Sequence, residues 1–129
     1  MKIFNGTTHD INLFLESQTE ALPHARKLVL KEGESPVVII PKGDKMLNAQ
    51  KATAAPPIVE GELAPFLKGG MIFPSIDPLP EGYDLYIVSL LYKSAAKEIG
   101  MDASKLATVD GVVYDSESKP VGCTGLSVG

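Results

Sequence analysis

The sequence predicts an α+β domain, mainly antiparallel β-sheet with one main helix at about residues 89–99. Three observations lead there. Ten Pro and twelve Gly in 129 residues interrupt the chain too often for long helices. The apolar residues otherwise fall into short alternating runs or unbroken groups of four, as strands require. Only one segment repeats them at the spacing of a helix that faces a core. The length suits one domain over 1–129, able to bury a core without metal or disulfide. Hydrophobic residues at 44% and charged ones at 22% exclude a disordered or fibrous chain.

Lys2 to Phe4 reads as a short strand, and Asn5-Gly6 after it is a hairpin signal. Ile11, Leu13 and Leu15 then alternate with Asn12 and Phe14, which predicts a half-buried strand with the first three on one side and the other two opposite. Arg26 to Lys31 is a second strand, its Lys27, Val29 and Lys31 opposing Leu28 and Leu30. Glu32 to Pro36 turns the chain. Val37 to Ile40 suits a fully buried strand, closed by Pro41 to Asp44, and Met46 to Thr53 an edge strand. Six of the ten prolines lie between Pro56 and Pro80, so residues 54–82 are expected to form an extended excursion, with a short strand at Met71 to Phe73. Asp84 to Val88 is a strand that runs into the helix. Ser89 is its cap, Val88, Leu91, Tyr92, Ala95 and Ile99 its inward face, Lys93, Lys97 and Glu98 its outward face, and Gly100 its C′ residue. Val109 to Asp115 and Val121 to Val128 form a last pair of strands around the turn Asp115 to Pro120.

Twelve basic against sixteen acidic residues leave a net charge of −4, which argues against a binder of duplex nucleic acid. One cysteine, Cys123, excludes an internal disulfide framework and fits a reducing compartment. The first residues turn polar after Phe4, so no signal-peptide core is expected. The longest apolar stretch, Leu85 to Tyr92, is too short for a membrane span. A cytoplasmic protein without membrane contact is the expectation.

The chemistry-bearing residues form no recognisable catalytic set. Neither phosphate-loop fingerprint occurs, and Gly122-Cys123-Thr124-Gly125 resembles a phosphate-binding turn only loosely. His9, His24 and Cys123 cannot supply a structural zinc site, and His9-Asp10 reads better as a surface or cap feature than as a metal contact. Cys123 has no neighbouring base or helix start and is expected to be an inert core thiol. The pairs Glu32/Glu34 and Glu60/Glu62 border glycine and read as solvated. No cofactor and no catalytic residue is assigned. Binding chemistry is easier to find. A helix starting at Ser89 offers free N–H groups to an anion. Arg26, the only arginine, offers a fork for phosphate. Tyr86 or Tyr92 offers a face for a base or simply packs, and His9 donates or accepts near neutral pH. The expected ligand site is therefore Asn5, Thr7, Thr8, His9, Arg26, Tyr86, Ser89, Tyr92 and Lys93. It requires the turn Asn5 to His9 to meet Arg26 and the junction Tyr86 to Lys93.

Several short motifs recur in a fixed order: Asn5-Gly6-Thr7-Thr8-His9-Asp10-Ile11-Asn12, Ile40-Pro41-Lys42-Gly43, Tyr86-Ile87-Val88-Ser89, and Val113-Tyr114-Asp115 through Gly122-Cys123-Thr124-Gly125-Leu126. In these the chain resembles a widespread family of small phage, prophage and bacterial proteins. It departs from that pattern at Thr8, where the family carries Pro, and in an insert-like stretch from Lys51 to Gly70. The resemblance implies a phage-encoded protein in the host cytoplasm. The expected function is counter-defence: a small nucleotide-like ligand, a host immune signal of cyclic ADP-ribose or cyclic oligonucleotide type, is sequestered without cleavage. An enzyme degrading such a signal, a virion or assembly component, and an inhibitor of a host protein are the alternatives. A homo-oligomer is expected, with Leu126-Ser127-Val128 pairing across a two-fold axis.

Overall fold

A computed structural model describes residues 1–129 apart from Pro23, Ala25, Arg26, Pro57 and Val59, and gives the backbone alone for Lys51, Met71, Phe73 and Pro74. The strands are β1 (Ile3–Asn5), β2 (Ile11–Leu13), β3 (Thr19–Leu22), β4 (Lys27–Leu30), β5 (Val38–Ile40), β6 (Ala49–Thr53), β7 (Met71–Ile76), β8 (Leu85–Ile87), β9 (Leu106–Tyr114) and β10 (Pro120–Val128), with the helix α1 at Leu90–Glu98. One sheet runs in the order β1-β8-β9-β10-β2-β5, with the hairpin β3–β4 joined to it through β9. β6 and β7 form a separate ribbon. Most paired residues are antiparallel, in β9–β10, β3–β4, β2–β5 and β6–β7, so the chain is an α+β fold dominated by sheet. The pairings β1–β8, β8–β9, β4–β9 and β10–β2 are parallel.

The long hairpin β9–β10 is the spine. Its turn forms as the sequence predicts: Asp115 Oδ1 accepts the N–H groups of Glu117 and Lys119 at 2.8 and 2.9 Å. β10 covers one edge of β9. The other edge is shared, with β8 on Leu106 and Ala107 and β4 on Val113 and Tyr114.

Asn5 and Gly6 form no hairpin. β1 lies parallel to β8, and β2 pairs with β5 and β10 instead. The reason is the Asn5 side chain, which is 1% exposed. Its Oδ1 accepts the Thr7 N–H at 3.0 Å and the Thr7 hydroxyl at 2.6 Å, an Asx-type turn that leads the chain away from β1. Its Nδ2 donates to the carbonyls of His9 and Ile40, both at 3.1 Å. All four hydrogen bonds that an amide can make are therefore formed. β1 and β5 are the two ends of the strand order, and they meet here. The Gly43 N–H donates to Asn5 O at 2.8 Å and the Leu47 N–H to Gly6 O at 2.9 Å, so the sheet closes on itself. Gly43 makes this approach possible, because a Cβ there would lie 2.7 Å from the Phe4 ring.

Closure creates two apolar layers, and the period of two along β1 and β8 feeds both. Ile11, Ile40, Ile87 and Cys123, flanked by Ile3, Leu13 and Leu126, fill the space between strands. Phe4, Leu47, Tyr86, Val88, Tyr92, Ala96 and Leu106 pack between the outer sheet face and α1. Ser89 caps the helix, its Oγ accepting the Tyr92 N–H at 3.1 Å, and Gly100 follows its end with a φ of 81°.

Several sequence expectations change here. Ile99 is exposed and Leu91 half-buried, whereas Ala96 and Lys93 are buried. The helix is turned because the Lys93 stem lies against the sheet and its Nζ donates to Ser127 O at 3.2 Å. Leu15 is exposed and Phe14 buried, since β2 ends at Leu13 and a 3-10 turn at Glu16–Gln18 reverses the alternation. The run Val37 to Ile40 buries only Ile40; β5 ends the strand order and, among the described residues, has a ladder partner on one side only. The Pro-rich stretch contains β7 and a 3-10 turn at Ala64–Phe66, and β7 pairs with β6. β3 carried no sequence signal. The Arg26 start of β4 lies outside the described residues.

Removing the Asn5 amide should open the closure. Asn5→Ala leaves buried carbonyls and the Thr7 N–H short of partners, and is expected to lower stability by about 2–4 kcal/mol in urea unfolding. A loss below about 1 kcal/mol would show that closure does not depend on this side chain.

Candidate functional site

The loop Gly6 to His9, fixed by Asn5, lies over the point where β8 passes into α1. The Gly6 N–H donates to Ile87 O at 2.8 Å, and the next two residues, Val88 and the cap Ser89, lead into the helix. Between the two segments is a cleft of about 380 Å³. Gly6, Thr7, Thr8 and His9 form one wall and Val88, Ser89 and Leu90 another. Met46, Leu47 and Asn48 come from the loop after β5, Thr108 and Val109 from β9, and Ile11 from β2.

The cleft combines polar groups with aliphatic surface. Leu90 and Leu91 occupy the first helical positions, where N–H groups have no acceptor inside the helix. Thr7 donates its hydroxyl to Asn5 Oδ1, and the Thr8 hydroxyl lies 3.0 Å from His9 Nδ1. Met46, Leu90 and Val109 supply aliphatic surface. A second cleft of about 730 Å³ lies beyond His9, lined by His9 to Asn12, Val109, Val112 and Pro120 to Cys123. The two clefts share His9, Ile11 and Val109.

Of the residues that the sequence assigns to a ligand site, Thr7, Thr8, His9 and Ser89 line the first cleft. Asn5 stands behind them as their anchor. Tyr86 and Tyr92 offer no face to a base. They are 6% and 0% exposed, and their hydroxyls donate to Pro80 O and Asp77 O, each at 2.5 Å. Lys93 is buried one turn beyond Ser89, on Ser127 O. Arg26 lies outside the described residues. Met46, Leu47, Asn48, Thr108 and Val109 were not legible as site residues, because only pairings across the chain bring them here. Leu47 arrives through its bond to Gly6, and Thr108 follows Ala107, whose carbonyl accepts the Val88 N–H at 2.8 Å.

Cys123 is 2% exposed, and burial pushes its thiol pKa up, which suits an unreactive core residue. Among the described residues, no three of His, Cys, Asp and Glu converge to hold a metal ion. No described helix is long and apolar enough to cross a membrane. No family model, curated protein or solved structure matches the chain.

Burial, assisted by the nearby Asp77 charge, raises the Tyr92 pKa above its ordinary value of 10.0. The folded state thus holds this proton more tightly than the unfolded state. The associated stability is present below pH 10.0 and is lost as pH rises from there through the higher folded value. Tyr92→Phe should flatten that alkaline loss in unfolding curves measured across pH 9 to 12 and cost about 1 kcal/mol at neutral pH through the missing hydrogen bond. An unchanged alkaline slope would assign the loss to other groups.

Proposed function

We propose that this protein binds a small nucleotide-type ligand in the cleft between the Gly6–His9 loop and the start of α1, and holds it without cleaving it. In the phage setting that the sequence resemblance implies, the ligand is a host immune signal of cyclic ADP-ribose or cyclic oligonucleotide type. The protein then acts as a cytoplasmic counter-defence sponge. One observation carries this reading: two segments far apart in sequence, each chosen for its ligand-binding groups, line a single cleft of about 380 Å³. That volume lies in the range of small-molecule sites. The free N–H groups of the first helical turn favour an anion and the threonine hydroxyls add hydrogen-bonding partners. With both tyrosines enclosed, the flat part of the ligand rests on aliphatic side chains.

Calorimetry against cyclic ADP-ribose and cyclic di-AMP, followed by mass analysis of the ligand released on denaturation, tests this. Binding with recovery of the unaltered ligand is expected. An altered mass would make the protein an enzyme, and no binding would remove the proposal. The His9 residue is exposed, and the Thr8 hydroxyl is the one hydrogen-bond partner of its ring among the described residues. His9→Ala should therefore weaken binding about tenfold at an unchanged melting temperature.

A homo-oligomer belongs to the same proposal, seated on β5 instead of the chain end. Ser127 and Val128 already pair with β9, and Ser127 O is taken by Lys93. β5 shows Val38 and Ile39 at 48% and 56% exposure; the closure through Asn5 reaches only its Ile40 end, so beyond that end a second copy can add a strand. Light scattering should return a dimer or larger for the parent and one chain mass for Val38→Lys. A parent of one chain mass at micromolar concentration would sink it.

A further inference from the structure

We propose that the ligand does not stop at His9 but reaches into the second cleft, placing a donor-bearing nucleobase there and its anionic part in the first. This rests on the binding reading above and adds to it the orientation and chemical class of the ligand.

The linings of the two clefts share His9, Ile11 and Val109, so the second cleft lies directly beside the first. Their polar groups are opposite in kind. Among the described residues, the first has no carboxylate in its lining, and presents hydroxyls, the Asn48 amide and the helix start. Among the described residues, the second has no lysine or arginine in its lining. Its two polar side chains besides His9 are Asp10 and Asn12, and each is held by one end. Asp10 Oδ1 accepts the Lys42 N–H at 2.9 Å, which leaves Oδ2 as an acceptor. Asn12 donates Nδ2 to Val121 O at 3.0 Å, which leaves its Oδ1 as an acceptor.

A cleft that offers a carboxylate and an amide oxygen repels phosphate and selects N–H donors. Val109 and Val112, at 43% and 37% exposure, supply apolar surface for the face of a ring. A nucleobase carrying an amino group combines both features, and guanine, with adjacent ring and amino N–H groups, combines them best. The phosphate then falls on the other side of His9, toward Ser89. Asp10 and Asn12 are thus specificity-determining residues.

The test uses the full chain and four probes: ribose 5-phosphate, inosine monophosphate, guanosine monophosphate and inorganic phosphate. Ribose 5-phosphate and inorganic phosphate read the first cleft alone, and the purine pair differs only in the amino donor. Guanosine monophosphate is expected to bind about tenfold more tightly than inosine monophosphate. Asp10→Asn keeps the oxygen that holds Lys42 and turns the free acceptor into a donor. It should erase that tenfold preference, leave ribose 5-phosphate binding unchanged and leave the melting temperature unchanged. Guanosine monophosphate binding no better than ribose 5-phosphate would overturn the second subsite while the first-cleft reading stands. Equal weakening of ribose 5-phosphate and guanosine monophosphate by Asp10→Asn would overturn the orientation. Failure of every probe, cyclic ligands included, would remove the underlying reading as well.

Discussion

One buried amide, that of Asn5, holds the two ends of the strand order together and shapes the loop that follows. A buried polar side chain is costly unless every donor and acceptor is met, and low polarity around it strengthens the bonds that are made. Asn5 meets that condition with two carbonyls and one threonine. The Ile40 bond closes the sheet; the His9 and Thr7 bonds set the course of the Gly6–His9 loop. Closure and cleft wall are therefore one feature of the molecule. By contrast, the one ion pair among the described residues, Lys119 with Glu117 at 3.6 Å, is exposed and adds little.

The other cleft wall depends on how β8 enters α1. Val88 packs in the outer core, Ser89 turns away to cap, and Leu90 is left 71% exposed at the rim. The two tyrosines beside this junction act as struts. Tyr86 and Tyr92 bond backbone carbonyls at Pro80 and Asp77, which ties the end of the Pro-rich stretch to the core. Asp77 and Asn48 then exchange bonds: the Asn48 N–H donates to Asp77 Oδ2 at 2.8 Å, and the Asp77 N–H to Asn48 O at 2.9 Å. Asn48 is a cleft residue. Tyrosines whose rings looked available to stack on a ligand thus position the ribbon β6–β7 and, through it, the third side of the cleft.

Exposure on β5 and enclosure of Lys93 both follow from where their elements sit in the fold. Where a strand ends the order, apolar residues stay outside because no further layer covers them. Where a helix crosses strands at their ends, a long basic side chain can lie flat with its charge on a carbonyl. Both reverse the expectation from residue type, and both leave chemistry at the surface or beneath it that hydropathy does not register.

The sequence by itself determined what neighbours in the chain control. The class, the helix with its Ser89 cap and Gly100 stop, the β9–β10 hairpin with its Asp115 turn, and the inert Cys123 were all legible. Each rests on periodicity, capping or composition within a few residues. Of the site, the pairing of Thr7, Thr8 and His9 with Ser89 was legible as chemistry, since these residue types suit a ligand wherever they meet. Tertiary structure alone decided that they do meet, that both tyrosines are enclosed, and that Asn5-Gly6 closes a sheet instead of making a hairpin. Asn5 bonds a residue 35 positions away and Asn12 one 109 away. Such contacts come from the order in which strands pair, and no local pattern encodes that order.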